Sequence, residues 1–219
     1  MSALFPNGTI FSVSTALGAA IAVSAISNAN PGVATAAAPP ADGAIGVITS
    51  GWAALTERVV RVANADSGSF ELEGIDTTNL TRYPAGQGAG SFAVATGFVD
   101  LSQVTNSEKS GGEQQFYQWQ YLEDRGGRQR QRPTFKNAKV LTVTLDYDPA
   151  LAWYNALVEA DALREPVVLR ATLPNGVQLY YYVYPSFDGD PSMVLDQNMQ
   201  NTATFSMTTE FNRYPPLAA

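Results

Sequence analysis

The sequence predicts a mainly β protein: a β-sandwich or barrel with one flanking α-helix, plus a small all-β appended module. Three observations carry this. Lys139–Leu145 and Thr202–Thr208 alternate apolar and polar residues with the period of a strand. Pro174-Asn175-Gly176 separates two apolar runs, and Asn-Gly there marks a hairpin because both residues tolerate positive φ. One stretch, between Asp148 and Glu165, repeats its apolar residues at helical spacing.

Taken in order, residues 1–24 read as an N-terminal arm in which Thr9–Ser14 alternates like a short strand. Residues 25–90 read as a small β-barrel-like module. Its apolar runs Gly46–Thr49, Arg58–Val62 and Ser69–Glu73 are separated by the turn-rich pieces Asn28–Gly32, Pro39–Gly43 and Asn64–Gly68. A spacing of about ten residues per strand fits a small barrel or sandwich. Gly86–Gly90 reads as a flexible joint. Residues 91–219 carry the longer strands. In Gln115–Tyr121, Tyr117, Trp119 and Tyr121 share one face and glutamines the other; in Lys139–Leu145, Leu141, Val143 and Leu145 oppose threonines.

The helix is expected at about 149–164, with Asp148 as N-cap and Pro149 at the first helical position. Leu151, Tyr154, Leu157, Val158 and Leu163 would form its apolar face. Arg164 suits the negative end of the dipole, and Glu165-Pro166 stops the helix. Strands with one apolar face and one Thr/Ser/Gln face bury one side of a sheet and show the other to water.

Composition narrows the function classes. Charged residues are 15% of the chain, low against the usual quarter or so, which hints at surface hidden in an assembly. The net charge of −7 speaks against a general nucleic-acid binder. The chain has no cysteine and no histidine, so disulfides, thiolate nucleophiles, Cys-based zinc sites and histidine catalysis are excluded. The apolar stretch around Leu17–Val23 has no Lys or Arg before it and is broken by serines, so we expect neither a signal peptide nor a membrane span. A protein made in a cytoplasm and without a membrane partner is the expectation.

Candidate motifs dissolve on inspection. Gly86-x-Gly88-x-Gly90 lacks the spacing and following helix of a phosphate loop. Asp188-Gly189-Asp190 lacks the rest of a calcium loop and reads as an acidic turn. Asn7-Gly8-Thr9 and Asn79-Leu80-Thr81 fit the glycosylation sequon but have no secretory context. Glu123 with Asp124, and Asp146 with Asp148, could be imagined as acid/base pairs, yet they sit at strand ends where acidic turn formers are common. Tyr180-Tyr181-Tyr182 with Tyr184 could stack on sugars or bases; two packed strand faces are the preferred reading. No catalytic residue, metal site, cofactor or small-molecule ligand is assigned.

One local charge anomaly remains. Arg125, Arg128, Arg130 and Arg132 are four of the ten arginines and lie within eight positions, in a loop with a Gly126-Gly127 pivot between two strands. Contact with an acidic surface of a neighbouring subunit is the favoured reading, since arginine forks match carboxylates. A merely solvated loop comes next, and nucleic-acid contact last.

Several stretches, in order, resemble one family: Leu4–Thr9, Ala25–Pro31, Val47–Trp52, Leu72–Thr78 and Ser110–Phe116. Together they look like the tail tube (major tail) proteins of long-tailed, non-contractile bacteriophages, over most of the chain. The resemblance implies a tail-tube-type β-sandwich flanked by a helix, six copies per ring, and strands from every subunit joined in one inner barrel. It implies rings stacked through a long loop, and an acidic lumen that passes DNA during ejection. The implied partners are further copies, a tape measure protein, and tail-terminator and tail-tip proteins. The implied location is the virion, after synthesis in the bacterial host cytoplasm. Residues 25–90 would ride on the tube exterior. The competing readings are another ring-forming virion protein (a tail terminator, a head decoration protein or a related secretion-tube ring), a carbohydrate-binding β-sandwich, and, remotely, a carboxylate enzyme.

Overall fold

The computed structural model describes residues 5–216, so the first four residues of the expected arm and the last three of the expected C-terminal unit lie outside the described residues. In chain order the strands are β1 (Ile10–Leu17), β2 (Ile21–Val23), β3 (Ala25–Ile26), β4 (Gly32–Thr35), β5 (Ile45–Ser50), β6 (Arg58–Asp66), β7 (Ser69–Leu72) and β8 (Gly90–Leu101). They continue as β9 (Val104–Gly111), β10 (Gln114–Trp119), β11 (Arg130–Lys136) and β12 (Lys139–Asp146). After α1 (Ala152–Leu163) come β13 (Val167–Thr172), β14 (Gln178–Phe187), β15 (Gln200–Met207) and β16 (Asn212–Tyr214).

The chain is the mostly β, sandwich-like fold with one helix that its patterning predicts. Fourteen strands share one open sheet in the order β3-β4-β7-β6-β5-β8-β1-β13-β14-β15-β12-β9, with β16 beside β14 and β2 beside β8. β10 and β11 pair only with each other. The long strand β8 is common to both halves. Its N-terminal part pairs with β5 (Gly46↔Val94 to Ser50↔Gly90) and its C-terminal part with β1 (Leu17↔Ala95 to Phe11↔Leu101). β1, from the expected arm, thus lies between β8 and β13 in the sheet.

Alternation does the packing. Leu141, Val143 and Leu145 of β12 and Ala203, Phe205 and Met207 of β15 turn into one core with Trp153 and Leu157 of α1. A second core gathers Trp52, Val60, Val62, Phe70, Leu72 and Phe92. A third, with Ile45, Val47, Val59, Val168, Tyr180 and Tyr214, joins the two halves. Each fully buried large apolar side chain contributes about 1.5–3 kcal/mol. The 173–177 connection is the predicted hairpin turn: Leu173 N–H donates to Val177 O at 2.8 Å, and Gly176 takes φ +79°.

Three local expectations change. Asp148 does not cap the helix; its Oδ1 accepts the Ala150 N–H at 3.1 Å within a preceding turn, and the helix begins after an extended Leu151. Trp153, Leu157 and Ala160 are buried, whereas Val158 and Leu163 are exposed. Leu151, Tyr154 and Leu157 of the expected stripe therefore face the core, joined by Trp153 and Ala160, and only Val158 and Leu163 turn to solvent. Gly86–Gly90 is pinned rather than loose: Gly51 N–H donates to Ala89 O at 3.0 Å and Ser50 Oγ–H to Gly88 O at 3.2 Å. A Cβ on Gly88 would lie 2.9 Å from the Trp52 ring, so glycine there serves close approach. Finally, the Tyr117/Trp119 face of β10, patterned like a half-buried strand, is not covered: β10 has no buried residue.

Candidate assembly interface

β9 and β12 pair from Gly111↔Lys139 to Val104↔Leu145. At Gly111 and Gly112, both at positive φ, the ribbon changes course and continues as β10 and β11. A Cβ on Gly111 would sit 2.0 Å from Ala138 O, so a close backbone approach needs glycine here. The joint is tied by Asn137 N–H donating to Glu113 O at 2.9 Å. Lys139 Nζ donates to Glu210 Oε1 at 3.3 Å beside it, which holds the Glu210 carboxyl below the usual carboxylate range. Residues 104–146 are therefore one long hairpin whose base lies in the sheet and whose outer part stands free of it.

The outer part displays what proteins usually cover. Phe116 is 48% exposed, Tyr117 63%, Phe135 66% and Leu122 fully exposed. Tyr117 and Trp119 stack at 5.9 Å, and the Arg130 guanidinium lies 4.9 Å over the Tyr121 ring. A lone two-stranded hairpin is marginally stable in water, and contiguous exposed apolar side chains mark interaction surfaces. Arg125 and Arg128 lie in the tip loop, while Arg130 and Arg132 stand on β11, so the run expected as loop is half strand. All four are exposed, and none has an ion-pair partner among the described residues. Aromatics and arginines together are the composition of interface centres.

β9 and β3 are the sheet's two terminal strands, and β9 has one edge bonded to β12 and, among the described residues, the other open. Thr105 to Gly111 are all exposed, and Glu108 and Lys109 are the charges that guard such an edge. A second exposed apolar surface was not singled out in the sequence: Met193, Val194, Leu195 and Met199, in the connection between β14 and β15. Its signal was an apolar triplet, without strand alternation, set among turn-forming residues.

The carboxylates weighed as acid/base pairs make turn and loop bonds. Asp124 Oδ1 accepts the Gly126 N–H at 3.1 Å, and Asp146 accepts the amides of Asn198 at 3.0 Å and Gln200 at 3.2 Å. Asp190 N–H donates to Asp188 Oδ1 at 3.1 Å, the geometry of an acidic turn. Tyr180 is buried and Tyr181 and Tyr182 half-buried; burial raises all three phenols, and only Tyr184 of the cluster is exposed. Among the described residues no group of three or more acidic side chains gathers to hold a metal, and no helix is long and apolar enough to cross a membrane.

No curated protein sequence matches the chain. A chain from a solved virion of a native gene transfer agent (GTA) particle aligns with a TM-score of 0.41 and 10% identity, covering 53% of this chain and 88% of that one. The model of one family, described as phage tail tube protein (TTP), matches residues 50–216. With most of its length matched, the chain belongs to the phage tail tube protein family.

Proposed function

We propose that this chain is the repeating subunit of a phage tail tube: six copies close a ring, rings stack, and the lumen conducts DNA during ejection. The observation that carries the reading is the projecting hairpin with its uncovered aromatics and arginines. A part that is marginal alone gains its cover from another copy. The open edge of β9 supports ring closure, because strands contributed by several subunits remove each other's edges. Head-to-tail contacts make rings when the rotation closes. The net charge of −7 suits a lumen that repels phosphates and lets a duplex slide.

In this reading Arg125, Arg128, Arg130 and Arg132 contact the next subunit, and residues 25–90 ride on the outside of the tube. The other partners are a tape measure protein in the lumen and terminator and tip proteins at the ends. The protein is made in the host cytoplasm and ends in the virion. Its role is structural and uses no active site.

Negative-stain microscopy over a concentration series tests the proposal. Rings with sixfold class averages, and tubes at higher concentration, are expected. Rings that never stack would favour a terminator or decoration role, and a strict monomer at high concentration would refute the assembly. Arg128→Glu with Arg130→Glu should suppress stacking while leaving the far-UV circular dichroism unchanged.

A further inference from the structure

We infer that the loop 188–199, between β14 and β15, is the docking site for the β10–β11 hairpin of a second copy of this chain. The inference rests on the stacked tube proposed above and names the surface that receives the hairpin.

Residues 192–199 are all exposed. Met193 is 77% exposed, Val194 54%, Leu195 89% and Met199 45%. The loop is nevertheless pinned in place. Ser192 N–H donates to Gln200 O at 2.8 Å, Tyr147 N–H to Met199 O at 2.8 Å, and Tyr154 Oη–H to Gly189 O at 3.1 Å. Side chains displayed on a tethered loop offer a preformed apolar surface, which lowers the ordering cost of binding.

Charge identifies the occupant. The loop carries Asp188, Asp190 and Asp196 and no Lys or Arg. The hairpin carries four arginines and Lys136 against Glu123 and Asp124, a net positive charge set among exposed aromatic rings. Arginine forks match carboxylates, and methionine and leucine side chains adapt to aromatic faces. The acidic and basic surfaces are thus complementary both in charge and in apolar character.

Placement requires two copies. β12 begins at Lys139, at the base of the hairpin, and ends at Asp146, which is hydrogen-bonded to Asn198 in the loop. Seven residue steps along this eight-residue strand separate the two ends by about 24 Å at about 3.4 Å per step. Hairpin and loop therefore lie at opposite ends of the ribbon, and both are exposed within one chain. A contact joining opposite ends of two copies is heterologous, and where its rotation does not close on itself it repeats along an axis, which is the symmetry of stacking.

The chain has no cysteine, so introduced thiols are unambiguous. Assembled Leu122→Cys/Leu195→Cys protein, treated with a flexible bis-maleimide, should give a ladder of covalent oligomers. A Leu122→Cys/Leu80→Cys control, with Leu80 also exposed at 59%, should not. Asp190→Arg/Asp196→Arg should raise the concentration needed for tube formation at least tenfold, and mixing it with Arg128→Asp/Arg130→Asp should restore assembly. Normal tube formation by the Asp190→Arg/Asp196→Arg variant, together with no ladder from the assembled Leu122→Cys/Leu195→Cys protein, would overturn the docking assignment and leave the tube reading intact. Wild-type protein that never assembles would overturn both.

Discussion

Arg61 offers a test of how the 25–90 segment is fastened to the rest of the chain. Its side chain is 3% exposed and forks onto both carboxylate oxygens of Glu73, which is 30% exposed. Nη1 also donates to Pro215 O at 2.8 Å, and the guanidinium lies 4.8 Å over the Tyr214 ring. The Glu73 hydrogen bond outweighs burial and raises the guanidinium pKa, so the group stays charged. Removing one partner of a buried pair costs about 3–5 kcal/mol, because the other charge is stranded. Glu73→Ala strands the buried member but opens a path for water, which places its cost near the low end, about 3 kcal/mol. Arg61→Met leaves Glu73 free to turn to solvent and loses chiefly the bond at Pro215, about 1–2 kcal/mol. The double variant should cost no more than Arg61→Met alone. Urea unfolding below the assembly concentration, with unchanged m, reads these differences. A Glu73→Ala variant less destabilised than Arg61→Met would refute the reasoning.

Three further outcomes follow from the same geometry. Burial pushes the Tyr214 phenol up to about 12 from an ordinary value near 10. The folded state therefore holds this proton more tightly, and the associated stability is present below pH ~10 and lost as pH rises toward ~12, worth about 2–3 kcal/mol. Tyr214→Phe should lose correspondingly less stability over that window in alkaline unfolding curves. Gly111→Ala places a Cβ against Ala138 O at positive φ, so it should impair tube formation in microscopy more than it lowers the melting temperature. Leu157→Ala, fully buried beneath α1, should cost about 2–5 kcal/mol in denaturant, whereas exposed Leu163→Ala should stay within about 0.5 kcal/mol.

Strand existence, the Asn175-Gly176 hairpin and the presence of a single helix were legible in the residues, because they depend on neighbours within a turn or two of chain. Lys139–Leu145 and Gln115–Tyr121 carry the same alternation, yet β12 is covered and β10 is not. The difference is set by strands distant in sequence: β15 and β9 flank β12, while β10 has only β11. Ser12 and Ser14, the polar members of the alternating Thr9–Ser14 stretch, are buried, with β1 lying between β8 and β13. Ser12 Oγ donates to Asp100 at 2.6 Å and Ser14 Oγ accepts the Val168 N–H at 2.9 Å. The four arginines were visible as a charge anomaly, but their mounting on a projecting arm, and the acidic apolar loop at the far end of the ribbon, were not. Period and turn chemistry are local properties of a chain. Which faces stay uncovered, which edges stay open and which surfaces end up on opposite poles are decided only when strands far apart in sequence pair, and for an assembling subunit those are the features that carry the function.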